Sequence, residues 1–295
     1  MRILLAIDHS PASQAAAAEV ASRPWPSDTA VEVLSAIESP HAWALAEVSE
    51  EIQRLTEDLV QRAAEQLRAA GLPATALVMA GDPRSVIVDR ASAIGADLIV
   101  LGSHGSGGLT QFLMGSVART VVRHAHCSTE VVRVPESGRG PRGMKLLLAT
   151  DGSECAAHAA RSIAARPWPL ETEVEIFTVV ELALTDLQAA FEPPMFDNET
   201  KEKIREDAMR HAQEAIREAA EILAGSPLKT SESISVLTGS PKQIILDEAR
   251  NFDADMIVTG SHGRSGINRF MLGSVSEAVA AHAECSVEVI RGPQA

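Results

Sequence analysis

Tyrosine is absent from this 295-residue chain, and it holds only six Phe and three Trp. Its cores must be built from Ala, Val, Ile and Leu, and aromatic platforms for stacking nucleic-acid bases are largely excluded. Positive charge is short as well: 26 Lys and Arg face 40 Asp and Glu, a net −14 that repels nucleic acid and anionic membrane surfaces. Neither is expected as a partner. Cys127, Cys155 and Cys285 are too few and too scattered for a disulfide framework, which suits a reducing compartment and makes the cytoplasm the expected location. No apolar run approaches the roughly 18 residues of a membrane span, and the start Met1 to Ile7 reads as a buried strand.

What is present is written twice. ILLAIDHS at 3–10 returns as LLLATDGS at 146–153, RPWP at 23–26 as RPWP at 166–169, and VEVLSAIE at 31–38 as VEIFTVVE at 174–181. GDP at 81–83 returns as GSP at 239–241, ADLIVLGSHG at 96–105 as ADMIVTGSHG at 254–263, and HAHCSTEVVR at 124–133 as HAECSVEVIR at 282–291. The later pairs are spaced more widely than the early ones. The second copy therefore carries extra residues between its second strand and its GSP, assigned to the proline-bearing loop FEPPMFDNET at 191–200. A chain of this length fits two domains of roughly 100 to 150 residues, read here as 1–136 and 144–293 joined by ESGRGPRG at 136–143.

Short β-branched runs alternate with longer helical patterns in each copy, the mark of βαβ units and a parallel sheet. In copy one, strands are expected near 2–7, 30–37, 74–80, 97–101 and 129–134, with helices near 11–22, 44–70, 84–94 and 115–125. The longest helix sets Val48, Ile52, Leu55, Leu59, Ala63 and Leu67 on one apolar face and stops at Gly71. Strands such as ILLAI and LIVL, apolar throughout, suit a sheet covered on both sides. The fold class is α/β, two tandem doubly wound five-stranded parallel sheets.

In such sheets ligands bind beyond the carboxyl ends of the strands, where the winding reverses. Asp8 and Asp151 follow the first strands, and Gly102 and Gly260 end the fourth. The spacing Gly102, Gly105, Gly115, Ser116 recurs as Gly260, Gly263, Gly273, Ser274. Glycines let a ligand approach the backbone, and the closing Gly-Ser opens a helix whose free N–H groups favour anions. A phosphate chain fits here without a basic patch.

With these motifs in order, both copies resemble universal stress protein domains, and the glycine spacing is similar to that family's ATP-binding signature over nearly the whole chain. The resemblance implies an adenine nucleotide-binding fold with sheet order 3-2-1-4-5. It places Asp151 at the ribose or adenine end and the backbone of Val179 at the adenine edge, with Gly260, His262, Gly263, Arg264, Gly273, Ser274 and Ser276 around ribose and phosphates. Asp8, Ala36, Gly102, His104, Gly105, Gly115 and Ser116 correspond in copy one. The implied cofactor is ATP or a related adenine nucleotide, with Mg²⁺ screening its phosphates, and the implied role is in stress response or signalling.

The copies differ. Copy one has His9 for Gly152, Ser106 for Arg264 and Ala118 for Ser276, losing a cation and a hydroxyl donor, so weaker binding is expected there. Plainer readings stand beside these. Asp8 and Asp151, or Ser10 and Ser153, can cap the helices that follow, and His104 and His262 can simply hydrogen-bond their loops. His124, His126 and Cys127 suggest a metal, but His282, Glu284 and Cys285 stand at the matching places, and a buried thiol beside a helix-end His is the better reading. Gly138 and Gly143 have a phosphate-loop gap with Met144 where Lys is required, and GxGxxG, GxSxG and HExxH are missing. A committed enzyme is not expected, and hydrolysis, if any, is slow for want of a base or arginine finger. The alternatives are a slow ATPase or nucleotidyl transferase and a nucleotide-free interaction module. The fifth strands, TEVVRV and VEVIR, are expected to pair as an internal pseudo-dimer that covers their edges, with a homodimer as a further option.

Overall fold

The computed structural model describes residues 1–38, 46–105, 114–134, 143–181, 197–237, 240–263 and 272–292. Copy one runs β1 (Arg2–Ala6), α1 (Pro11–Ser22), β2 (Ala30–Ile37), α2 (Ala46–Ala69), β3 (Ala74–Ala80), α3 (Pro83–Ile94), β4 (Leu98–Gly102), α4 (Ser116–His124), β5 (Ser128–Val132). Copy two repeats it as β6 (Lys145–Ala149), α5 (Glu154–Ala165), β7 (Glu173–Glu181), α6 (Asn198–Leu223), β8 (Lys229–Leu237), α7 (Pro241–Asn251), β9 (Met256–Gly260), α8 (Ser274–His282), β10 (Ser286–Ile290). Local chemistry sets several boundaries. Ser10 accepts from Ser13 N at the start of α1, Asp82 accepts from Arg84 N ahead of Pro83, and Gly95 closes α3 in the left-handed region at φ 59°.

The strands form one sheet in the order β3-β2-β1-β4-β5-β10-β9-β6-β7-β8. Each half has the order 3-2-1-4-5, parallel within itself, and the halves join where β10 lies antiparallel to β5. The fifth strands are thus interior, as their apolar sequence requires. The face bearing α3, α4, α7 and α8 has one core across both copies, from Leu4, Leu34 and Val131 to Leu147, Phe177 and Val287. The opposite face has two cores, one under α1 and α2 and one under α5 and α6.

Charge fills the gap between those two cores. Glu130 and Glu288 sit opposite each other in the β5–β10 register, both fully buried, an arrangement that repels without counter-ions. Arg23 donates to Glu130 at 3.2 and 3.0 Å, and Arg166 to Glu288 at 2.8 Å. The Arg23 guanidinium also lies 4.4 Å from the Trp25 ring centre and 5.1 Å from that of Trp168. The repeated RPWP is therefore seam machinery. Burial pushes the Glu130 carboxyl up to about 7, with Arg23 pulling against it and Glu288 and Glu19 adding to the rise. Beyond the strands the seam is clasped reciprocally: Arg133 donates to Ala280 O at 2.6 Å and Arg291 to Val122 O at 3.0 Å, each holding the carboxyl end of the other copy's helix.

Two expectations need correction. The α2 stripe is buried only in its second half: Val60, Ala63, Ala64 and Leu67 reach the core, whereas Val48, Ile52 and Leu55 are exposed. The extra residues of copy two are also not confined to a loop at 191–200. Residues from 198 onward are helix, α6 has 26 residues against 24 in α2, and β8 has 9 against 7 in β3; residues 182–196 lie outside the described residues.

Candidate functional site

Two cavities open at the carboxyl ends of the strands, about 540 Å³ in copy one and about 700 Å³ in copy two, sizes suited to a small-molecule ligand. Crevice one brings together every residue expected of it: Asp8, Ala36, Gly102, His104, Gly105, Gly115 and Ser116. Crevice two gathers Asp151, Val179, Gly260 and His262, together with Gly263, Gly273, Ser274 and Ser276. Arg264, and its counterpart Ser106, lie outside the described residues.

The glycines divide by function. A Cβ on Gly102 would come within 2.7 Å of the Ala12 backbone, and one on Gly260 within 2.6 Å of that of Cys155, so these two let α1 and α5 pack on a strand end. Gly105 and Gly263 instead lie against the aspartates, where a Cβ would stand 2.7 Å from Asp8 Oδ2 and 2.6 Å from Asp151 Oδ2. Gly115 and Gly273 are N-caps without a side-chain bond, so the first amides of α4 and α8 are left uncapped by side chains at the crevice. Such an end attracts an anion through its unpaired N–H groups and the helix dipole. By contrast Ser10 and Ser153 cap α1 and α5, the plainer role considered for them. Each crevice also has an apolar wall, Leu34 and Ile87 in one, Phe177 and Ile245 in the other. A molecule with a flat apolar part, hydroxyls in the middle and an anionic tail fits this sequence of surfaces.

The aspartates brace their own loops. Asp8 Oδ1 accepts from Ser10 N at 3.0 Å and from Ser13 Oγ at 2.6 Å, and Asp151 Oδ1 accepts from Ser153 N at 3.0 Å. Copy two has Ala156 where copy one has Ser13. His104 and His262 each place Nδ1 2.9 Å from the hydroxyl of the preceding serine. Burial, and then the charge of Arg291, hold the His262 imidazole below its ordinary pKa, so the ring is neutral at pH 7. Its Nε2 is buried with no hydrogen-bond partner among the described residues. Ser276 departs from expectation: its hydroxyl donates to Gly260 O at 2.6 Å and is buried, so the donor that Ala118 lacks is directed at the protein's own backbone. The first turn of α8 carries Glu277, and Arg123 of copy one neutralises it at 3.0 Å.

Sequence reasoning missed the wall that α6 adds to crevice two, where Ile204, Asp207, Ala208 and His211 line the cavity. Their spacing is that of one helical face, which was the available signal. No residue of α2 lines crevice one among the described residues. The residues weighed as a metal group form no cluster of three or more candidate ligands among the described residues. Burial raises the Cys127 and Cys285 thiols to about 11, in keeping with inert core thiols. No helix among the described residues is long and apolar enough to cross a membrane.

Comparison with known proteins identifies the family and the fold. The sequence profile described as "Universal stress protein family" matches residues 1–133 and again 144–291. A universal stress protein of Mycobacterium tuberculosis is 30% identical over 212 residues, covering 66% of this chain and 62% of that protein. The chain thus spans less than two thirds of the length of that relative. A universal stress protein of Synechocystis is 30% identical over 152 residues, 50% of this chain and 97% of its own. Among solved structures, a universal stress protein from Archaeoglobus fulgidus aligns over 98% of this chain and 96% of its own, with a TM-score of 0.65 at 20% identity, which is a likeness of fold.

Proposed function

The chain belongs to the universal stress protein family, and from that premise we propose that each crevice binds ATP or a related adenine nucleotide, the bound state serving a stress or signalling response. The observation that carries this reading is the pair of helices, α4 and α8, that begin at the crevice with a glycine N-cap and no side-chain capping bond. Phosphates would lie on those amides. The adenine would lie along the apolar wall with its edge at the backbone of Ala36 or Val179, and the sugar hydroxyls near Asp8 or Asp151. His262, which lines the cavity, would lie beside the ribose and phosphates.

Mg²⁺ would enter with the phosphates. With Asp8 and Asp151 taken up by the sugar hydroxyls, the ion would be held mainly by phosphate oxygens and water, as Mg²⁺ commonly is on a nucleotide. The same reading takes 1–136 and 144–293 as two domains acting as an internal pseudo-dimer, in the cytoplasm, with homodimerisation a further level. The three cysteines are free, which supports a reducing compartment.

The experiment is mass spectrometry of the small molecule released on denaturing freshly purified protein, followed by calorimetric titration with ATP. A released adenine nucleotide and saturable binding lost in Asp151→Ala and Asp8→Ala together support the reading. Protein free of nucleotide, with no thermal shift in ATP, supports an interaction module in its place.

A further inference from the structure

We propose that His211 is a ligand-contacting, specificity-determining residue of crevice two, where it hydrogen-bonds the sugar-and-base end of the bound molecule. This rests on the nucleotide reading above and adds a residue that the glycine motif does not contain.

Gly152, at φ +73°, lies under α6, and a Cβ there would stand 3.1 Å from the Ala215 Cβ. Copy one has His9 at this turn. Free of a side chain at that point, α6 packs more extensively on α5 than α2 does on α1, and its first half leans over the cavity. Ile204, Asp207, Ala208 and His211 become wall as a result.

Copy one shows what the alternative looks like. When α2 and α6 are aligned at their first residues, Val60, Ala63, Ala64 and Leu67 match Ala212, Ala215, Ile216 and Ala219, all buried. The same alignment puts Leu55 and Leu59 where Asp207 and His211 stand. The polar pair is therefore particular to the helix that reaches a cavity.

Position and chemistry select His211 within the pair. Asp207 is engaged by Arg210 at 2.9 Å and repels phosphate. His211 lies one helical turn before Ala215, the residue against Gly152, and so on the Asp151 side of the cavity. An imidazole both donates and accepts, which matches ribose hydroxyls and purine nitrogens. A site built to hydrogen-bond such groups rejects ligands that lack them.

The test uses the full chain carrying Ser116→Glu, which sets a carboxylate at the amides of crevice one and leaves crevice two to be read alone. AMP and ATP are titrated calorimetrically into this parent and into the same chain with His211→Ala or His211→Gln. The expected result is an affinity about tenfold lower for both ligands in His211→Ala, largely restored in His211→Gln, with melting temperatures unchanged because the residue is exposed. Unchanged affinity in His211→Ala overturns the proposal while leaving nucleotide binding intact. A loss seen with ATP and not with AMP also overturns it, because the contact would then be to the outer phosphates. A parent that binds neither ligand overturns this proposal and the nucleotide reading together.

Discussion

Crevice one has a serine bracing its aspartate, no lining from α2 among the described residues, and a volume of about 540 Å³; crevice two has Ala156 in place of that serine, α6 as an added wall, and about 700 Å³. Beneath them, the frame is the same: strand-end Gly, loop Gly against the carboxylate, Gly N-cap, and a seam in which each copy repeats its own Arg–Glu ion pair and lends an arginine to the other copy's helix end. Duplication has kept the glycines and helix-start amides of each crevice and varied the side chains around them. The sites differ in side chains on a common frame of amides.

The largest test of that comparison concerns the shared frame. Arg23→Ala and Arg166→Ala each strand a buried glutamate and are expected to cost about 3 to 5 kcal/mol, read from urea denaturation. Equal losses support a symmetric seam, and a difference above about 2 kcal/mol breaks it. Next comes pH. The Glu130 carboxyl, pushed up to about 7 in the folded chain, holds a proton that the unfolded chain releases near its ordinary value. Its contribution is full below about pH 4.3 and is lost as pH rises to about 7. Melting curves across that window are expected to lose this slope in Glu130→Gln.

A smaller effect separates the crevices. Gly105→Ala and Gly263→Ala push a methyl into their own aspartate, and each is expected to weaken nucleotide at its own site by about tenfold or more while sparing the other. Loss at both sites from one substitution would show them to be coupled. The smallest effect concerns Ser276. Since its proton is directed to Gly260 O, Ser276→Ala is expected to lower stability by about 1 kcal/mol and leave affinity for ATP within about twofold. A tenfold loss of affinity would return Ser276 to the ligand and restore the original reason for ranking crevice two as tighter.

Much of this was legible in the sequence because repetition and period are local. The runs ILLA and LIVL could only be covered strands, and Asp82-Pro83 with Gly95 bracket α3 by cap chemistry alone. The glycine spacing led to both crevices for the same reason. What was hidden depended on distance or on a rotamer. Arg23 and Glu130 are 107 residues apart, so RPWP could be seen to recur without its partner being visible. The direction of the Ser276 hydroxyl is set by a carbonyl sixteen residues away. The apolar stripe of α2 gave the right face of the helix and could not say how much of that face is covered. The α6 wall follows from a glycine in another element.

The unbroken apolar layer beneath α3, α4, α7 and α8 makes the repeat a single folding unit. Heat finds no plane along which the halves part cheaply, since parting would bare that layer and release the two arginine clasps that cross between the copies. A calorimeter is expected to record one transition whose van't Hoff and calorimetric enthalpies agree. Severing the peptide between the halves would turn an intramolecular seam into a bimolecular one, whose melting point rises with protein concentration.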